Sequence, residues 1–240
     1  MGRSRSRTFA YLKDRVWKRI QGWKEKLLSK AGKEILIKAV AQAIPTYAMS
    51  CFDLTKTLCD EISTMICCYL WSQQDNKNKM HWISWDTMCR RKEEGGLGFR
   101  DLHLFNLAML ARQAWRLLMT PDSLCGQVLK AKYYRNCGLL DAKEAPGISY
   151  TWRSILRGIK ALKDGLIWCV GDGNSIKIWL NPWIPRGVTR MPITPRGHTL
   201  ITHISDLIDQ NTGDWDQVLV RDIFWGGRCA TYNCHTGTDG

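Results

Sequence analysis

Apolar residues recur at intervals of three and four through the first half of the chain, and this spacing constrains the fold more than any other feature. One stripe of a first helix, beginning near Phe9, holds Val16, Ile20, Trp23 and Leu27. A second helix should end before Pro45, because the residue preceding a proline disfavours helical geometry. The same period returns over residues 57–71, 101–119, 124–133 and 152–162. These stretches predict a mostly α chain.

The pattern changes after about residue 165. Residues 166–170 and 175–179 flank Gly171-Asp172-Gly173-Asn174, which predicts a β-hairpin near 166–179. A Pro-rich loop follows over 181–197, and residues 200–208 fit either a weak helix or a strand. We therefore expect a disordered basic start at 1–8, a helical region at 9–135 and a small α+β region at 136–225, with partly irregular termini.

Positive charge is concentrated at the N-terminal end. The net charge is +13. Residues 1–40 contain twelve basic and three acidic residues, a net +9. Such a segment is typical of proteins that contact phosphates, so RNA or DNA is the expected partner, whereas a solvated helix face is the plain alternative. The cations predicted to bind nucleic acid are Lys13, Lys18, Arg19, Lys24 and Lys26.

No residue pattern indicates catalysis or a cofactor. The ten cysteines include no Cys-x-x-Cys pair, and no apolar signal segment is visible, so we expect an intracellular protein with free, mostly buried thiols and no metal. No apolar run is long enough to span a membrane. The glycine-rich runs at 95–98 and 171–174 lack the Gly-Lys-Ser/Thr of a phosphate-binding loop, and no two aspartates are adjacent.

The chain contains twelve tryptophans, which is unusual. Aromatic side chains among cations can stack on bases. Core packing is nevertheless the favoured interpretation, because Trp23 and Trp115 fall on predicted core stripes, and Trp168 and Trp179 fall on the predicted hairpin.

Residues 95–107, GGLGFRDLHLFNL, combine a glycine-rich turn with an aspartate that can cap the following helix. Further blocks follow the same order as one known family, among them Leu28–Lys33, Gln42–Tyr47, Trp152–Leu156 and Gly165–Gly173. Together they resemble the reverse transcriptases of plant LINE-type (non-LTR) retrotransposons, over about residues 1–225. The residues that carry the motif, all expected to be structural, are Gly95, Gly96, Gly98, Phe99, Asp101, Asn106, Trp115, Trp152, Trp179 and Trp183.

The resemblance implies a region downstream of the polymerase palm, with thumb-like and connection helices before a zinc-binding domain. The Asp-Asp pair that binds Mg²⁺ belongs to the palm, so the chain is expected to be a non-catalytic fragment with at most weak, sequence-nonspecific RNA or DNA binding. Its other expected partners are the missing palm and zinc-binding regions of the parent polyprotein. The alternatives are a structural or interaction remnant and, least favoured, part of an active RNA-directed DNA polymerase. Residues 226–240 depart from the family and are interpreted as a frameshifted, disordered tail.

Overall fold

The computed structural model describes residues 8–24, 28–72, 82–185, 190–194, 196, 199–209 and 212–224. The chain divides into two compact units, Met1–Asp164 and Gly165–Gly240. The predicted tail at 226–240 and nearly all of the predicted disordered start lie outside the described residues.

Helices form nearly all the regular structure of the first unit. The α-helices are α1 Ala10–Lys24, α2 Lys30–Leu36, α3 Thr46–Cys51, α4 Lys56–Trp71, α5 Trp85–Cys89, α6 Leu102–Met119, α7 Leu124–Tyr133 and α8 Tyr150–Gly165. A π-helix, Ile37–Ala41, continues α2, and short 3-10 turns occupy Lys92–Glu94 and Leu139–Asp141. The predicted helical period is therefore confirmed.

The apolar stripe predicted for α1 faces a large core. Val16, Ile20 and Trp23 are buried there, together with Ile62 and Ile66 of α4. The Trp23 ring lies 5.7 Å from the Tyr69 ring, measured between centroids. Because this stripe is turned inward, the polar residues of α1 are left on its outer face.

Three glycines shape the turn that leads into α6. Gly95 and Gly98 have φ angles of 79° and 68°, in the left-handed region that favours glycine. A Cβ on Gly96 would lie only 2.2 Å from the carbonyl oxygen of Arg90. The turn then delivers Asp101, whose Oδ1 accepts hydrogen bonds from the backbone N–H groups of His103 (2.8 Å) and Leu104 (3.0 Å). The predicted helix cap is confirmed.

Two buried amides fasten this turn and α6 to the preceding segment. Gln42, directly after the π-helix, donates from Nε2 to the Arg100 carbonyl (3.2 Å) and accepts at Oε1 from the Arg100 N–H (3.4 Å). Asn106 accepts at Oδ1 from the Leu54 N–H (2.8 Å). Its Nδ2 donates to the carbonyls of Met49 (2.8 Å) and Phe52 (2.9 Å). Asn106 thus satisfies backbone groups in the core, and Gln42 holds the backbone of Arg100 against the segment after the π-helix.

A second core in this unit surrounds Trp152 of α8. Its ring lies between those of Tyr133 and Tyr134, with centroids 4.8 and 5.5 Å away and interplanar angles of 4° and 6°. Where α8 crosses α6, a Cβ on Gly158 would lie 2.5 Å from the Leu110 carbonyl, so the two backbones approach closely.

The buried face of α6 differs from the predicted one. The buried residues are Leu102, Asn106, Leu110, Ala114 and Leu117. Trp115, one residue beyond Ala114, is turned about 100° away from that stripe. Its side chain is 42% exposed. The prediction that Trp115 lies on the core stripe is therefore wrong.

The predicted β-hairpin is also wrong, and with it the α+β assignment of the C-terminal part. In the described residues of the second unit, extended pairing is limited to isolated bridges, Lys177 with His203 and Ile208 with Trp215. Residues 176–178 bond to 202–204, whereas the Trp168 N–H donates to the Pro182 carbonyl at 2.8 Å. The segment on each side of the glycine-rich turn thus has its own partner elsewhere in the chain.

The second unit has a small core of its own. A 3-10 turn, Ile204–Leu207, and helix α9, Gln217–Ile223, contribute residues to it. The Trp183 Nε1 donates to the Ile178 carbonyl at 2.9 Å. The Trp183 ring stacks on that of Trp215, with centroids 5.8 Å apart. Trp168 and Trp179 also pack against this core, as expected for tryptophans, although not as hairpin residues.

Candidate nucleic-acid interface

The five predicted phosphate-binding cations are not equivalent. Lys18 and Arg19 are exposed on the outer face of α1. Lys13 forms a salt bridge with Glu61 of α4, with Nζ and Oε2 2.8 Å apart. Lys24 ends α1, but nothing is described of its side chain, and Lys26 lies outside the described residues. Of the five predicted cations, the structure therefore describes two, Lys18 and Arg19, as open to a ligand.

Arg15 joins these two residues, and sequence reasoning did not select it. It lies three and four residues before Lys18 and Arg19, which places all three on one face of α1. No described carboxylate lies within salt-bridge distance of any of them. Like charges at these spacings repel within a helix, and a bound anion would offset that cost.

An open groove of about 420 Å³ runs beside these cations. Arg15, Lys18 and Arg19 form one wall, and Val40 of the π-helix and Ile44 form the rest of its lining. Val40 and Ile44 are half-buried, with their inner sides against the large core. The groove therefore combines positive charge with an apolar floor.

Two other basic residues of this region, Lys33 and Lys38, have structural partners. Lys33 donates from Nζ to the Ser72 carbonyl at 2.5 Å, near the C-terminus of α4. Its Nζ also lies over the Tyr69 ring, 5.2 Å from the centroid. Burial, and then the neighbouring charge of Lys30, lower the pKa of Lys33 below its usual range. This lysine stabilises the end of a helix and does not add to the open positive surface.

Lys38 likewise acts within the fold. It pairs with Glu34 at 2.6 Å and donates to the Leu97 carbonyl at 2.5 Å. Its Nζ lies 5.3 Å from the centroid of the Phe99 ring. Lys38 thereby connects the π-helix to the glycine-rich turn, so the high charge of residues 1–40 overstates the charge available to a ligand.

One residue in each glycine-rich segment makes a contact within the fold. Phe99 is buried and stacks on Trp85, with ring centroids 5.4 Å apart. Asp172, in the second glycine-rich run, accepts from the Asn174 N–H at 3.2 Å, which is a local turn. Both contacts lie within the fold.

The cysteines differ from the expectation that most are buried. Of the eight cysteines in the described residues, Cys59 and Cys67 are buried, but four are exposed: Cys68, Cys125, Cys137 and Cys169. Burial, followed by nearby carboxylates, raises the pKa of Cys59 to about 12 and that of Cys89 to about 12. Both thiols are therefore kept in the unreactive protonated form at neutral pH.

Within the residues described, no group of three His, Cys, Asp or Glu side chains could hold a metal ion. Over the same residues, no helix has both the length and the apolar character needed to cross a membrane.

Two Arabidopsis thaliana proteins are similar to this chain. "Uncharacterized mitochondrial protein AtMg00310" is 41% identical over 143 residues, which cover 59% of this chain and 93% of the relative. The chain belongs to the family of that mitochondrial protein. "Putative ribonuclease H protein At1g65750" is 36% identical over 182 residues, 74% of this chain but only 29% of that much longer protein. No family model matches the chain, and no solved structure matches it.

Two important residues of this family member were not selected from its sequence. Arg15 is one of several charged residues on α1. Periodicity alone cannot show which of these cations is open to a ligand, because pairing with α4 engages some of them. Gln42 lies in a predicted helix, and only its contact with Arg100, 58 residues later, shows its role.

Proposed function

We propose that the chain is a segment of a plant LINE-type retrotransposon reverse transcriptase, without a catalytic centre of its own, that binds polynucleotides without sequence preference. The observation that carries the binding proposal is the outer face of α1, where Arg15, Lys18 and Arg19 stand together without a described counter-ion. Similarity to part of a longer protein named as a ribonuclease H protein supports the retrotransposon origin.

The geometry favours contact with phosphates rather than with base edges. Three cations on adjacent turns of one exposed helix can follow a sugar-phosphate backbone, which supplies affinity that does not depend on sequence. The lining of the groove contains no amide or carboxylate side chain that could read bases. Weak binding to RNA, DNA or an RNA–DNA hybrid is the activity that this arrangement supports.

The proposal predicts that replacing Arg15, Lys18 and Arg19 together by glutamine weakens binding to a short RNA–DNA hybrid. At about 1 kcal/mol for each cation near an anionic surface, the three together contribute about 3 kcal/mol, so the expected loss at low salt is ~150-fold. Fluorescence anisotropy of the labelled hybrid measures it. Glutamine keeps a high helix propensity, and removing like-charge pairs should leave the stability of α1 unchanged or slightly higher.

The matched control replaces Lys143, Lys160 and Lys163 by glutamine. These three are also exposed, in the same unit, and their loss lowers the net charge by the same amount. The control should retain most of the wild-type affinity. Equal losses in both triple variants would show that only bulk charge matters, and absence of binding by the wild type would contradict the proposal outright.

A second candidate function, an interaction remnant, is supported by apolar exposure on α7. Leu124 and Val128 are four residues apart and are 82% and 63% exposed. They lie on one side of the helix, as expected of a face once covered by another part of a longer protein. In that case the wild type and both triple variants would all show negligible binding to the RNA–DNA hybrid.

A further inference from the structure

The apolar floor of the groove is not explained by phosphate binding. Val40 and Ile44, which line the groove, are apolar, whereas a phosphate prefers N–H donors and positive charge. In a duplex the faces of the bases are stacked inside, so the outer surface offers mainly phosphate and sugar. A duplex would therefore engage the cations and leave the floor without an apolar partner.

A single strand can engage both parts of the groove. Its bases are unstacked and free to turn towards the protein, and every base has an apolar face that tolerates aliphatic or aromatic contact. A base against Val40 and Ile44 would leave the adjoining phosphates beside the three cations that form the wall.

Tyr11 extends the same surface by one helical turn. It precedes Arg15 by four residues and Lys18 by seven, so the three side chains form one stripe along α1. Its ring is 46% exposed. Tyr11 takes part in none of the close ring pairs that Phe9, Phe52 and Tyr150 form with one another. An exposed aromatic ring next to unpaired cations is the arrangement found on single-strand binding surfaces.

We propose that the α1 groove binds single-stranded polynucleotide in preference to duplex. One base lies against Val40 and Ile44, the neighbouring phosphates contact Arg15, Lys18 and Arg19, and an adjacent base stacks on Tyr11. The inference rests on the proposed function, since it names the form of nucleic acid that the same surface takes. Sequence preference is absent because neither the floor nor the ring reads base edges.

The test compares three ligands of equal phosphate number on the wild-type protein: a single-stranded oligonucleotide, the same backbone made abasic, and a short duplex. Stacking contributes about 1–3 kcal/mol for each base, so the base-bearing strand should bind roughly 5- to 150-fold more tightly than the abasic one. If the base-bearing and abasic strands bind equally, or if the duplex binds more tightly than the single strand, the inference is overturned.

Variants of Tyr11 locate the stacking contact. Tyr11→Ala should lose at least about fivefold in affinity for the base-bearing strand, with no change for the abasic strand, and Tyr11→Phe should retain wild-type affinity. Trp115→Ala, which removes a similarly exposed aromatic residue from α6, is the control and should change neither. An unchanged affinity of Tyr11→Ala for the base-bearing strand would overturn the role of Tyr11.

The two proposals fail in different ways. If all three ligands bind with equal, salt-dependent affinity, the polynucleotide-binding function stands and the single-strand inference fails. If none of the three binds at low salt, both fail.

Discussion

Replacing Asn106 by alanine is expected to lower the free energy of unfolding of the first unit by about 3–4 kcal/mol. The substitution leaves the N–H of Leu54 and the carbonyls of Met49 and Phe52 without their partner, inside a core where Asn106 is only 1% exposed. Each buried group left unsatisfied costs about 1–3 kcal/mol, partly relieved if water enters the space. Urea denaturation followed by far-UV circular dichroism measures the change.

A second substitution separates hydrogen bonding from packing. Asn106→Asp has nearly the same volume but cannot donate to the Met49 and Phe52 carbonyls, and at neutral pH it places a negative charge against them. Its destabilisation should equal or exceed that of Asn106→Ala. Asn136→Ala, at an exposed site, is the control and should stay within about 0.5 kcal/mol of wild type. A near-neutral effect of Asn106→Asp on the free energy of unfolding would contradict the role given to the hydrogen bonds of Asn106.

Replacing Trp152 by alanine is expected to destabilise the same unit by about 3–5 kcal/mol. The side chain is 1% exposed and lies between the parallel rings of Tyr133 and Tyr134, so its removal leaves a cavity and two aromatic faces without a partner. The same denaturation measurement applies. Trp152→Phe should recover part of the loss, because a smaller ring can still lie between the two tyrosines.

Trp82 provides the control for Trp152, since its side chain is 77% exposed. Trp82→Ala should change the free energy of unfolding by no more than about 0.5 kcal/mol. Equal effects of Trp82→Ala and Trp152→Ala would contradict the assignment of Trp152 as the centre of the second core.

The helices of the first unit could be predicted from sequence because their signals are local. The stripe of Val16, Ile20 and Trp23 needs only a helical period to become a buried face, and Asp101 caps α6 with its own side chain. The run from Gly95 to Gly98 was correctly read as a turn, because glycine at positive φ is a property of a few neighbouring residues.

The errors arose where distant partners decide the outcome. Gly171–Asn174 has the composition of a hairpin turn, but the strand-like segment after it bonds to residues 202–204, an interaction that no local signal encodes. The orientation of Trp115 depended on which side of α6 meets α3 and α4, and a shift of one residue on a helix turns a side chain by about 100°. Periodicity defined the helix but not its rotation.

The candidate site shows the same limit. Charge density identified the N-terminal region, yet Lys13 and Lys38 are engaged by Glu61 and Glu34, and only the folded arrangement reveals that Arg15 is not. The apolar floor beside the cations brings together Val40 and Ile44 with α1, across about 25 residues of sequence. A binding surface made of exposed cations therefore depends on which cations the tertiary contacts leave without a carboxylate partner.

The central claim, that three cations of α1 bind phosphates, is tested most directly by the salt dependence of binding. The logarithm of the affinity for a single-stranded oligonucleotide should be measured against the logarithm of the salt concentration, for the wild type and for the triple glutamine variant of Arg15, Lys18 and Arg19. At about 0.7 ions released for each single-strand phosphate contact, the slope of the variant should be shallower by about 2. Parallel lines for the two proteins would contradict the claim, because the three cations would then make no phosphate contact.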